Sequence, residues 1–366
     1  MYRIEQIRLT QFKNHPDTSY SFHSRVVGIT GQNGVGKTNL LDAIHTLCFS
    51  RGYFSRTDQT LIRHGDLGFR IDGILQKSEH THEVSILLRE TGKKEIRLDG
   101  DLLPRLADHL GRFPVVMIAP DDAELIQGES RARRQFLDAL ISQLTPAYLP
   151  ALARYNKILQ QRQALLQEIA EQGSSPTRLS TLDVLDDQWT NMTNILVPER
   201  RKWSIELQER MLQQYQRIAG TSDRVSMTYL TELDGSDVLS KIRTNRSRDL
   251  AAQRNTIGPH RDDLLFLLGD HPFKQVASQG QRKTLLFAIK LAERSLLEDT
   301  IGIAPVLLLD DVFEKLDPAR ILALMQWVTH DTLSQVFITD TDAQRLRDQL
   351  DPLGTPYELL EIKARI

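Results

Sequence analysis

The chain has 366 residues, of which 40% are hydrophobic and 26% are charged, and its formal net charge is -2 at pH 7. This length allows one large core or two modest ones, so we expect a main body with one inserted lobe. The near-neutral charge excludes binding of nucleic acid by bulk basic charge, and any such contact must be local or created by assembly.

Cysteine content and hydropathy argue against a disulfide-stabilised protein and against a membrane protein. Cys48 is the single cysteine, which rules out an internal disulfide and argues against a cysteine-based metal site. No apolar run approaches the roughly 18–20 residues of a membrane-spanning helix, and the first residues lack the apolar segment of a signal peptide. We therefore expect a cytoplasmic protein with no membrane partner.

The first 120 residues have the pattern of short strands with one helix among them. Apolar runs bounded by turn residues predict the strands, and the apolar spacing after position 38 predicts the helix. Asp99-Gly100 is a hairpin turn signal. The predicted strands cover residues 26–30, 69–75, 84–89, 94–98 and 115–118, and the helix covers 39–49.

The texture changes near position 130. Residues 130–218 are rich in Gln, Arg and Leu with helical periodicity, broken by Gly-Ser-Ser-Pro at 173–176. From about 225 the pattern is mixed again, with a hairpin at Gly269-Asp270. A helix at 281–298 and strands at 306–309 and 336–339 follow. We therefore divide the chain into a head of residues 1–130 and 225–366 and an inserted helical lobe of residues 131–224.

A phosphate-binding loop is predicted between the strand at 26–30 and the first helix. Its glycines let successive backbone N–H groups converge on phosphate oxygens, and the helix start adds the positive end of its dipole. In this pattern the lysine supplies a charge to the phosphates and the threonine hydroxyl coordinates Mg²⁺. A glycine-rich turn without a ligand is the alternative. The eight positions are Gly31, Gln32, Asn33, Gly34, Val35, Gly36, Lys37 and Thr38.

A second part of the site is predicted at Asp310 and Asp311, which follow four apolar residues at 306–309. Alone, such a pair is a weak signal for anything beyond solvated strand-end charge. Paired with the phosphate loop, Asp310 is the expected Mg²⁺ partner, and Asp311 is the expected base for the attacking water. We therefore predict ATP and Mg²⁺ as cofactors, with Lys37 and Asp311 as catalytic residues.

A second phosphate cradle is predicted at Ser278-Gln279-Gly280-Gln281, where a helix begins. A serine hydroxyl and a glycine N–H at a helix start can hold phosphate, although the same residues serve as a plain helix cap. The segment resembles the signature motif of ABC ATPases, and Leu316-Asp317 matches their D-loop. Asp317 thus joins the nucleotide-binding set, and the expected assembly is a head-to-tail dimer around two ATP molecules.

The long separation of the two parts of the site is the arrangement of SMC-like ATPases. The expected fold class is α/β, an ABC/SMC-type ATPase head. Such a head has a mixed sheet with the phosphate loop, an antiparallel β subdomain and an inserted helical lobe.

Further segments carry a more specific resemblance. They are Phe12-Lys13-Asn14-His15, Pro120-Asp121-Asp122, Arg-Arg-Gln-Phe-Leu-Asp at 133–138 and Gly-Pro-His-Arg-Asp-Asp at 258–263. These segments resemble the RecF family of bacterial DNA replication and repair proteins. The resemblance implies an ATP-dependent DNA-binding protein that forms an ATP-dependent homodimer and acts at gapped or single-stranded DNA. It further implies work with RecR and RecO in recombinase loading and SOS induction, and weak DNA-stimulated ATP hydrolysis. It adds Lys13 and Asn14 to the nucleotide-binding residues.

One feature departs from transport-type ABC ATPases, which carry a switch histidine after the strand that follows the carboxylate pair. Here the strand at 336–339 is followed by Asp340-Thr341-Asp342. We therefore expect no histidine sensor of the γ-phosphate and a slow, switch-like ATPase.

Other charged residues allow two interpretations each. Arg131, Arg133 and Arg134 could contact DNA or a neighbouring subunit, or could be helix-surface charges. The basic residues between 241 and 254 could meet phosphates or be solvated. His260 is a ligand or a hydrogen-bonded structural residue, and Arg56 is a candidate contact to nucleotide or DNA.

Two rival functions remain open from the sequence. An ATPase subunit of an ABC transporter would use the same motifs, although the missing histidine and the helical insertion disfavour it. A nucleotide-gated scaffold that never hydrolyses ATP is the second rival, and the carboxylate pair argues against it only in part.

Overall fold

A computed structural model of the chain describes residues 2–55, 57–220, 223–235, 237–312, 321, 325–327 and 333–363. The chain divides into two compact units. The first unit comprises Met1–Ala123, Gln213–Thr221 and Ser278–Ile366, and the second comprises Glu124–Leu212 and Ser222–Ala277. Within the described ranges, no helix is both long and apolar enough to cross a membrane.

The first unit contains a parallel sheet of five short strands in the order β14-β3-β13-β12-β8. Strands β3, β8 and β12 are almost wholly apolar and buried, as expected within a parallel sheet, whereas β14 is half-buried. Because β13 lies between β3 and β12, the carboxyl ends of these three strands meet at one edge. The strands are β3 (Val26–Thr30), β8 (Val115–Ile118), β12 (Val306–Leu309), β13 (Val336–Asp340) and β14 (Tyr357–Glu361).

The first unit also contains an antiparallel sheet in the order β2-β1-β4-β5-β6-β7. The predicted hairpin is confirmed, because Leu98 pairs with Asp101 and both turn residues have positive φ, 54° at Asp99 and 89° at Gly100. The strands are β1 (Tyr2–Phe12), β2 (His15–Ser21), β4 (Phe69–Lys77), β5 (His80–Leu88), β6 (Lys94–Leu98) and β7 (Asp101–Leu102).

Helix α1 (Lys37–Phe49) packs against this antiparallel sheet. A Cβ at Gly73 in β4 would lie 2.3 Å from the Leu47 side chain, so the glycine permits the close approach of helix and sheet. Leu40, Leu41 and Ile44 of α1 are fully buried in the same apolar core. The helix that begins at the predicted phosphate loop is therefore fixed along its length. Two further helices described in this unit are α9 (Gln279–Ile301) and α10 (Ala343–Leu350).

The second unit contains most of the helices and a three-stranded sheet in the order β11-β10-β9. Helix α5 (Pro176–Ala219) begins in this unit, and its residues from Gln213 onward are assigned to the first unit. The strands are β9 (Val225–Leu230), β10 (Asp263–Leu268) and β11 (His271–Pro272). The helices are α2 (Ala123–Gln127), α3 (Ser130–Leu144), α4 (Tyr148–Gln172), α5 (Pro176–Ala219), α6 (Val238–Thr244), α7 (Arg246–Ala252) and α8 (Phe273–Val276).

Short 3₁₀ turns complete the described secondary structure. They lie at Asp58–Leu61, Leu106–Asp108, Pro120–Asp122, Pro259–Arg261 and Asp351–Leu353.

The division into units differs from the sequence-based one in the placement of residues 225–277. These residues pack on the long helices through buried ion pairs as well as apolar contacts. Arg162 of α4 binds Asp186 at 2.6 Å and Asp249 at 2.7 Å, and all three side chains are fully buried. Arg200 of α5 binds Asp262 at 2.9 Å. Because the partners are distant in sequence, these pairs leave no local pattern. In sequence alone, the strand-like pattern of residues 225–277 therefore indicates that they belong with the head.

Candidate functional site

The glycine loop lies between β3 and α1, at the carboxyl edge of the parallel sheet. Gly36 has φ 114° and precedes the first residue of α1. A Cβ at Gly36 would lie 2.5 Å from the Asn14 side-chain nitrogen, so the loop rests directly on Asn14. Asn14 donates to the Val35 carbonyl at 2.9 Å and accepts from Asn39 at 2.8 Å. Asn14 therefore supports the loop through these hydrogen bonds. A side chain at Gly36 would collide with Asn14 and would strain the backbone at this positive φ.

Lys37 is 6% exposed although it carries a charge. Its ammonium donates to the carbonyls of Gly31 at 2.8 Å and Gln32 at 3.1 Å. Gln32, Asn33 and Gly34 are exposed, and Gly31 and Val35 are half-buried. The loop thus curls around the ammonium and presents its middle residues to solvent.

Thr38 and Asp310 join the two predicted parts of the site. The Thr38 hydroxyl lies 3.0 Å and 3.1 Å from the two carboxylate oxygens of Asp310, although the residues are 272 positions apart. Asp310 is 4% exposed, and burial raises the pKa of its carboxyl. The sheet order explains the meeting, because β3 and β12 both end beside β13.

These two groups fit a magnesium ion. Hydroxyl and carboxylate oxygens are the ligands that Mg²⁺ takes from proteins, usually one or two of them with phosphate and water completing the shell. Among the residues that the structure describes, no group of three or more His, Cys, Asp and Glu side chains could hold a metal by itself. A metal at Asp310 would therefore take most of its ligands from phosphate and water.

Thr339, at the end of β13, contacts both carboxylate residues. Its hydroxyl donates to Asp310 Oδ1 at 2.8 Å and accepts from the Asp311 backbone N–H at 3.0 Å. Asp311 has φ 46°, in the left-handed region that non-glycine residues rarely adopt. The chain therefore turns sharply directly after Asp310, whose carboxylate could bind a metal ion.

The acidic residues at the end of β13 and directly after it bind groups of the same segment. Asp340 is 1% exposed and forms two hydrogen bonds with the Arg345 guanidinium, at 2.8 Å and 2.6 Å. Asp342 caps α10 by accepting from the backbone N–H groups of Gln344 and Arg345. Both acids, which follow Thr339 where transport-type ABC ATPases carry a switch histidine, thus bind groups of their own segment.

Lys13 lies next to α1 and forms an ion pair with Asp42. Asp42 is fully buried one helical turn after Thr38, and it also accepts from the Tyr53 backbone N–H at 2.6 Å. In this structure the Lys13 ammonium is therefore neutralised by the helix that follows the glycine loop.

Ser278 is exposed and caps α9. Its hydroxyl accepts from the Gln281 backbone N–H at 3.2 Å, and the Gln281 side chain accepts from the Ser278 backbone N–H at 2.9 Å. Gln279 is exposed and Gly280 half-buried. This reciprocal capping box leaves the helix start facing solvent. Asp317 and Arg56, also singled out in the sequence, lie outside the described residues.

The arginine cluster near position 133 is mostly structural. Arg133 is 6% exposed and forms a bidentate pair with Asp263 at 2.6 Å and 3.0 Å. Arg134 donates to the Asp262 carbonyl at 2.7 Å, whereas Arg131 is exposed. The interpretation of Arg133 as a surface charge or a DNA contact is therefore wrong, because its guanidinium is used to hold α3 to β10.

The basic stretch at 241–254 is partly neutralised. Arg246 binds Asp183 and Asp186, each at 2.6 Å, and Arg243 lies 3.2 Å from Asp187. These acids all belong to α5. The stretch therefore offers less free positive charge than its sequence suggests.

His260 is a hydrogen-bonded structural residue, one of its two sequence interpretations. Its Nδ1 lies 2.7 Å from the Tyr155 hydroxyl and its Nε2 lies 3.2 Å from the Asn255 carbonyl. Since a carbonyl only accepts, Nε2 carries the proton and Nδ1 accepts from the tyrosine. Burial lowers the pKa of His260 to about 4.

Three residues of this region carried no signal in the sequence: Asn39, Asp42 and Thr339. None of the three belongs to a recognisable motif, and polar side chains within helices and strands are usually structural. The one available signal is positional, because the last residues of neighbouring parallel strands share an edge of the sheet. That rule would have singled out Thr339 once β13 was placed beside β12.

Comparison with known proteins agrees with this architecture. The family model described as the RecF/RecN/SMC N terminal domain matches residues 3–356. The Smc head domain of Pyrococcus furiosus with an extended coiled coil has 15% identity and a TM-score of 0.54, covering 100% of this chain and 94% of that one. This likeness concerns the fold alone, which is that of an SMC-type ATPase head.

Nearer relatives narrow the class. The DNA replication and repair protein RecF of Flavobacterium johnsoniae is 34% identical over 359 residues, covering 98% of this chain and 99% of the relative. RecF of Cytophaga hutchinsonii is 36% identical over 343 residues, covering 93% and 90%. A solved structure described as the recombination mediator protein RecF-ATP in the RecFOR pathway has 27% identity and a TM-score of 0.85, covering 93% and 92%. The chain belongs to the RecF family.

Proposed function

We propose that this chain binds ATP with Mg²⁺ at the loop of residues 31–38, and that nucleotide state controls its action on DNA. The observation that supports this most directly is the contact between Thr38 and Asp310. A turn that merely resembled a phosphate loop would have no reason to meet a buried carboxylate from the far end of the chain. The relative solved as RecF-ATP agrees with the nucleotide.

Each residue then has a distinct chemical role. The glycine loop and Lys37 bind the phosphate oxygens, and Thr38 with Asp310 holds Mg²⁺. The ion supplies neutralisation of phosphate charge when it is bound. Asp311 orients the attacking water and accepts its proton. In the present structure Lys37 bonds to carbonyls of its own loop, so we propose that phosphate oxygens share or replace those bonds.

We further propose that ATP joins two copies head to tail. The support is the start of α9, where an exposed serine and a helix N-terminus face solvent. Such an end attracts phosphate. Ser278, Gln279, Gly280 and Gln281, together with Asp317, would complete the nucleotide site of the second copy.

The function proposed for this dimer is that of a recombination mediator that acts with RecR and RecO at gapped or single-stranded DNA in repair, replication restart and SOS induction. The support is family membership with relatives named DNA replication and repair proteins, and a solved relative in the RecFOR pathway. Since the chain has a net charge of -2, pairing two copies is needed to gather enough basic residues on one surface. Exposed Arg131 is one contributor.

Turnover of ATP with and without DNA tests this function against its rivals. A mediator should hydrolyse ATP slowly and faster with gapped DNA. A transporter subunit should show no response to DNA, and a non-hydrolysing scaffold should bind ATP without turnover. ATP binding should also be strongly weakened in Lys37→Ala, and wild-type affinity in that variant, when folded, would overturn the nucleotide site itself.

A further inference from the structure

We propose that Thr339 is the positioning residue of the hydrolytic centre, and that its hydroxyl sets the geometry of Asp310 and Asp311 together. This inference rests on the proposed ATP site. The side chain is fully buried at the end of β13. Its partners are the Asp310 carboxylate at 2.8 Å and the Asp311 backbone N–H at 3.0 Å.

The direction of both hydrogen bonds is fixed by chemistry. A backbone N–H can only donate, so the Thr339 oxygen must accept from Asp311. The single hydroxyl proton is then available for the hydrogen bond that Thr339 donates to the Asp310 carboxylate. Thr38, the second residue of α1, donates to the same carboxylate, whose oxygens lie at 3.0 Å and 3.1 Å. Two hydroxyls therefore hold the Asp310 carboxylate in one orientation.

The second bond fixes the turn at Asp311. Its φ of 46° is a left-handed conformation that L-residues adopt only at a cost. The bond from its N–H to Thr339 is a restraint that compensates this cost. Because the turn decides where the Asp311 carboxylate points, Thr339 acts on the base through the backbone as well as on the metal partner through the side chain.

The neighbouring polar residues cannot position Asp310 and Asp311 in this way. Asp340 is held by Arg345, and Asp342 caps α10. Both are acids, which would repel a γ-phosphate. Thr339 therefore contacts the carboxylate pair from this strand end. Its hydroxyl acts through Asp310 and Asp311, in the role that a switch histidine has in transport-type ABC ATPases.

Thr339→Val removes the hydroxyl while keeping the branched shape that suits a buried strand. Thr339→Ser keeps the hydroxyl and serves as the rescue variant. Thr46→Val is the matched control, because Thr46 is a buried threonine of the same unit whose hydroxyl donates to the Asp42 carbonyl at 2.6 Å. Thr339→Ala is a second variant without the hydroxyl, for use if valine disturbs folding.

Two measurements are made on each folded variant. The first is affinity for a non-hydrolysable ATP analogue in EDTA and in Mg²⁺, and the second is the kcat and KM of ATP hydrolysis. For Thr339→Val we expect unchanged affinity in EDTA, loss of about tenfold of the Mg²⁺-dependent gain, and a kcat lower by about tenfold or more, as for loss of a hydrogen bond to a charged group. Thr339→Ser and Thr46→Val should match the wild type.

Wild-type Mg²⁺ dependence and kcat in folded Thr339→Val and Thr339→Ala would overturn the inference. A serine variant as impaired as valine would also overturn it, because the effect would then come from packing. If the wild-type chain binds no ATP in either buffer, the proposed function fails and this inference fails with it.

Discussion

The Thr38 hydroxyl contacts both carboxylate oxygens of Asp310, at 3.0 Å and 3.1 Å, across 272 positions of the chain. The contact exists because β3 and β12 run parallel on either side of β13, so that their carboxyl ends share one edge of the sheet. The chain thus builds a single site from its two ends, and each part of that site can be tested separately.

Lys37→Ala should weaken ATP binding strongly and leave the fold intact. The ammonium donates to two carbonyls of its own loop, and the variant loses a charged donor to phosphate. Loss of a hydrogen bond to a charged group costs about 1.5–3 kcal/mol, so affinity should fall by roughly tenfold to a hundredfold. Calorimetric titration with ATP measures this, with circular dichroism as the fold check.

Lys93→Ala is the matched control for this substitution, because its side chain is exposed and pairs with Glu95 on the antiparallel sheet. It should bind ATP as the wild type does. Wild-type affinity in a folded Lys37→Ala protein would exclude the glycine loop as the nucleotide site.

Ser278→Arg should leave ATP binding nearly unchanged and prevent ATP-driven dimerisation. The serine is exposed at the start of α9, so a bulky side chain there would block a facing glycine loop. Losing the cap should also destabilise the helix by about 1 kcal/mol. Ser278→Ala shares that loss without the bulk, so comparison of the two in sedimentation with ATP separates blocking from capping. If Ser278→Arg still dimerises, the segment is a plain helix cap.

A mixture of Lys37→Ala and Ser278→Arg subunits gives a sharper form of this test. In a head-to-tail pair of the two, one composite site carries both substitutions and the other carries neither. The mixture should therefore form ATP-dependent dimers that neither variant forms alone. Absence of dimers in the mixture, with both variants folded, would argue against the head-to-tail arrangement.

Asp311→Asn should slow hydrolysis and prolong the hold on DNA. The amide cannot accept the proton of water, and loss of a general base lowers rate by roughly 10²–10⁴-fold. Asparagine tolerates the left-handed backbone at this position, so the turn should survive. DNA dissociation with ATP should be slower than in the wild type. The equilibrium constant for DNA binding should fall steeply with salt, with a log–log slope of about 0.9 per phosphate contact on duplex DNA.

The same experiment has two contrary outcomes. Unimpaired hydrolysis together with wild-type DNA dissociation would show that Asp311 is not the base. DNA binding of equal strength without ATP would show that dimerisation does not build the DNA surface.

The second unit should lose stability as pH falls from about 6.5 towards 4. Burial lowers the pKa of His260 to about 4, below the ordinary value of 6.5, so the unfolded chain takes up a proton that the folded one refuses. The stabilisation is complete above pH 6.5 and lost as pH falls. It amounts to about 3 kcal/mol for one histidine.

Urea unfolding of the wild type and His260→Gln at pH 7.5 and pH 4.5 measures this difference. Glutamine can still donate to the Asn255 carbonyl but does not titrate. The variant should lose less stability between the two pH values. An equal loss in both proteins would show that His260 titrates normally in the folded state.

Much of the site was predictable because its chemistry is local. The glycine loop, its lysine and threonine form one continuous segment, and the apolar strand before Asp310 marks a buried parallel strand. The turn at Asp99 and Gly100 was predictable for the same reason, since positive φ at consecutive positions selects a few residue types.

The parts that could not be predicted depend on contacts between distant residues. Arg133 resembled a surface charge because its partner Asp263 lies 130 positions away. Thr339 resembled a strand residue because its role appears only when β13 lies between β3 and β12. Sequence periodicity reports burial, and it does not report which buried polar groups meet.

Sedimentation of the wild-type chain with Mg²⁺-ATP, with ADP and without nucleotide tests the central claim most directly, with Lys37→Ala as the control in each condition. We expect the wild type to be a dimer with Mg²⁺-ATP and a monomer with ADP or without nucleotide, and Lys37→Ala to be a monomer in all three conditions. A state of association that is the same in all three conditions would contradict an ATP-joined pair.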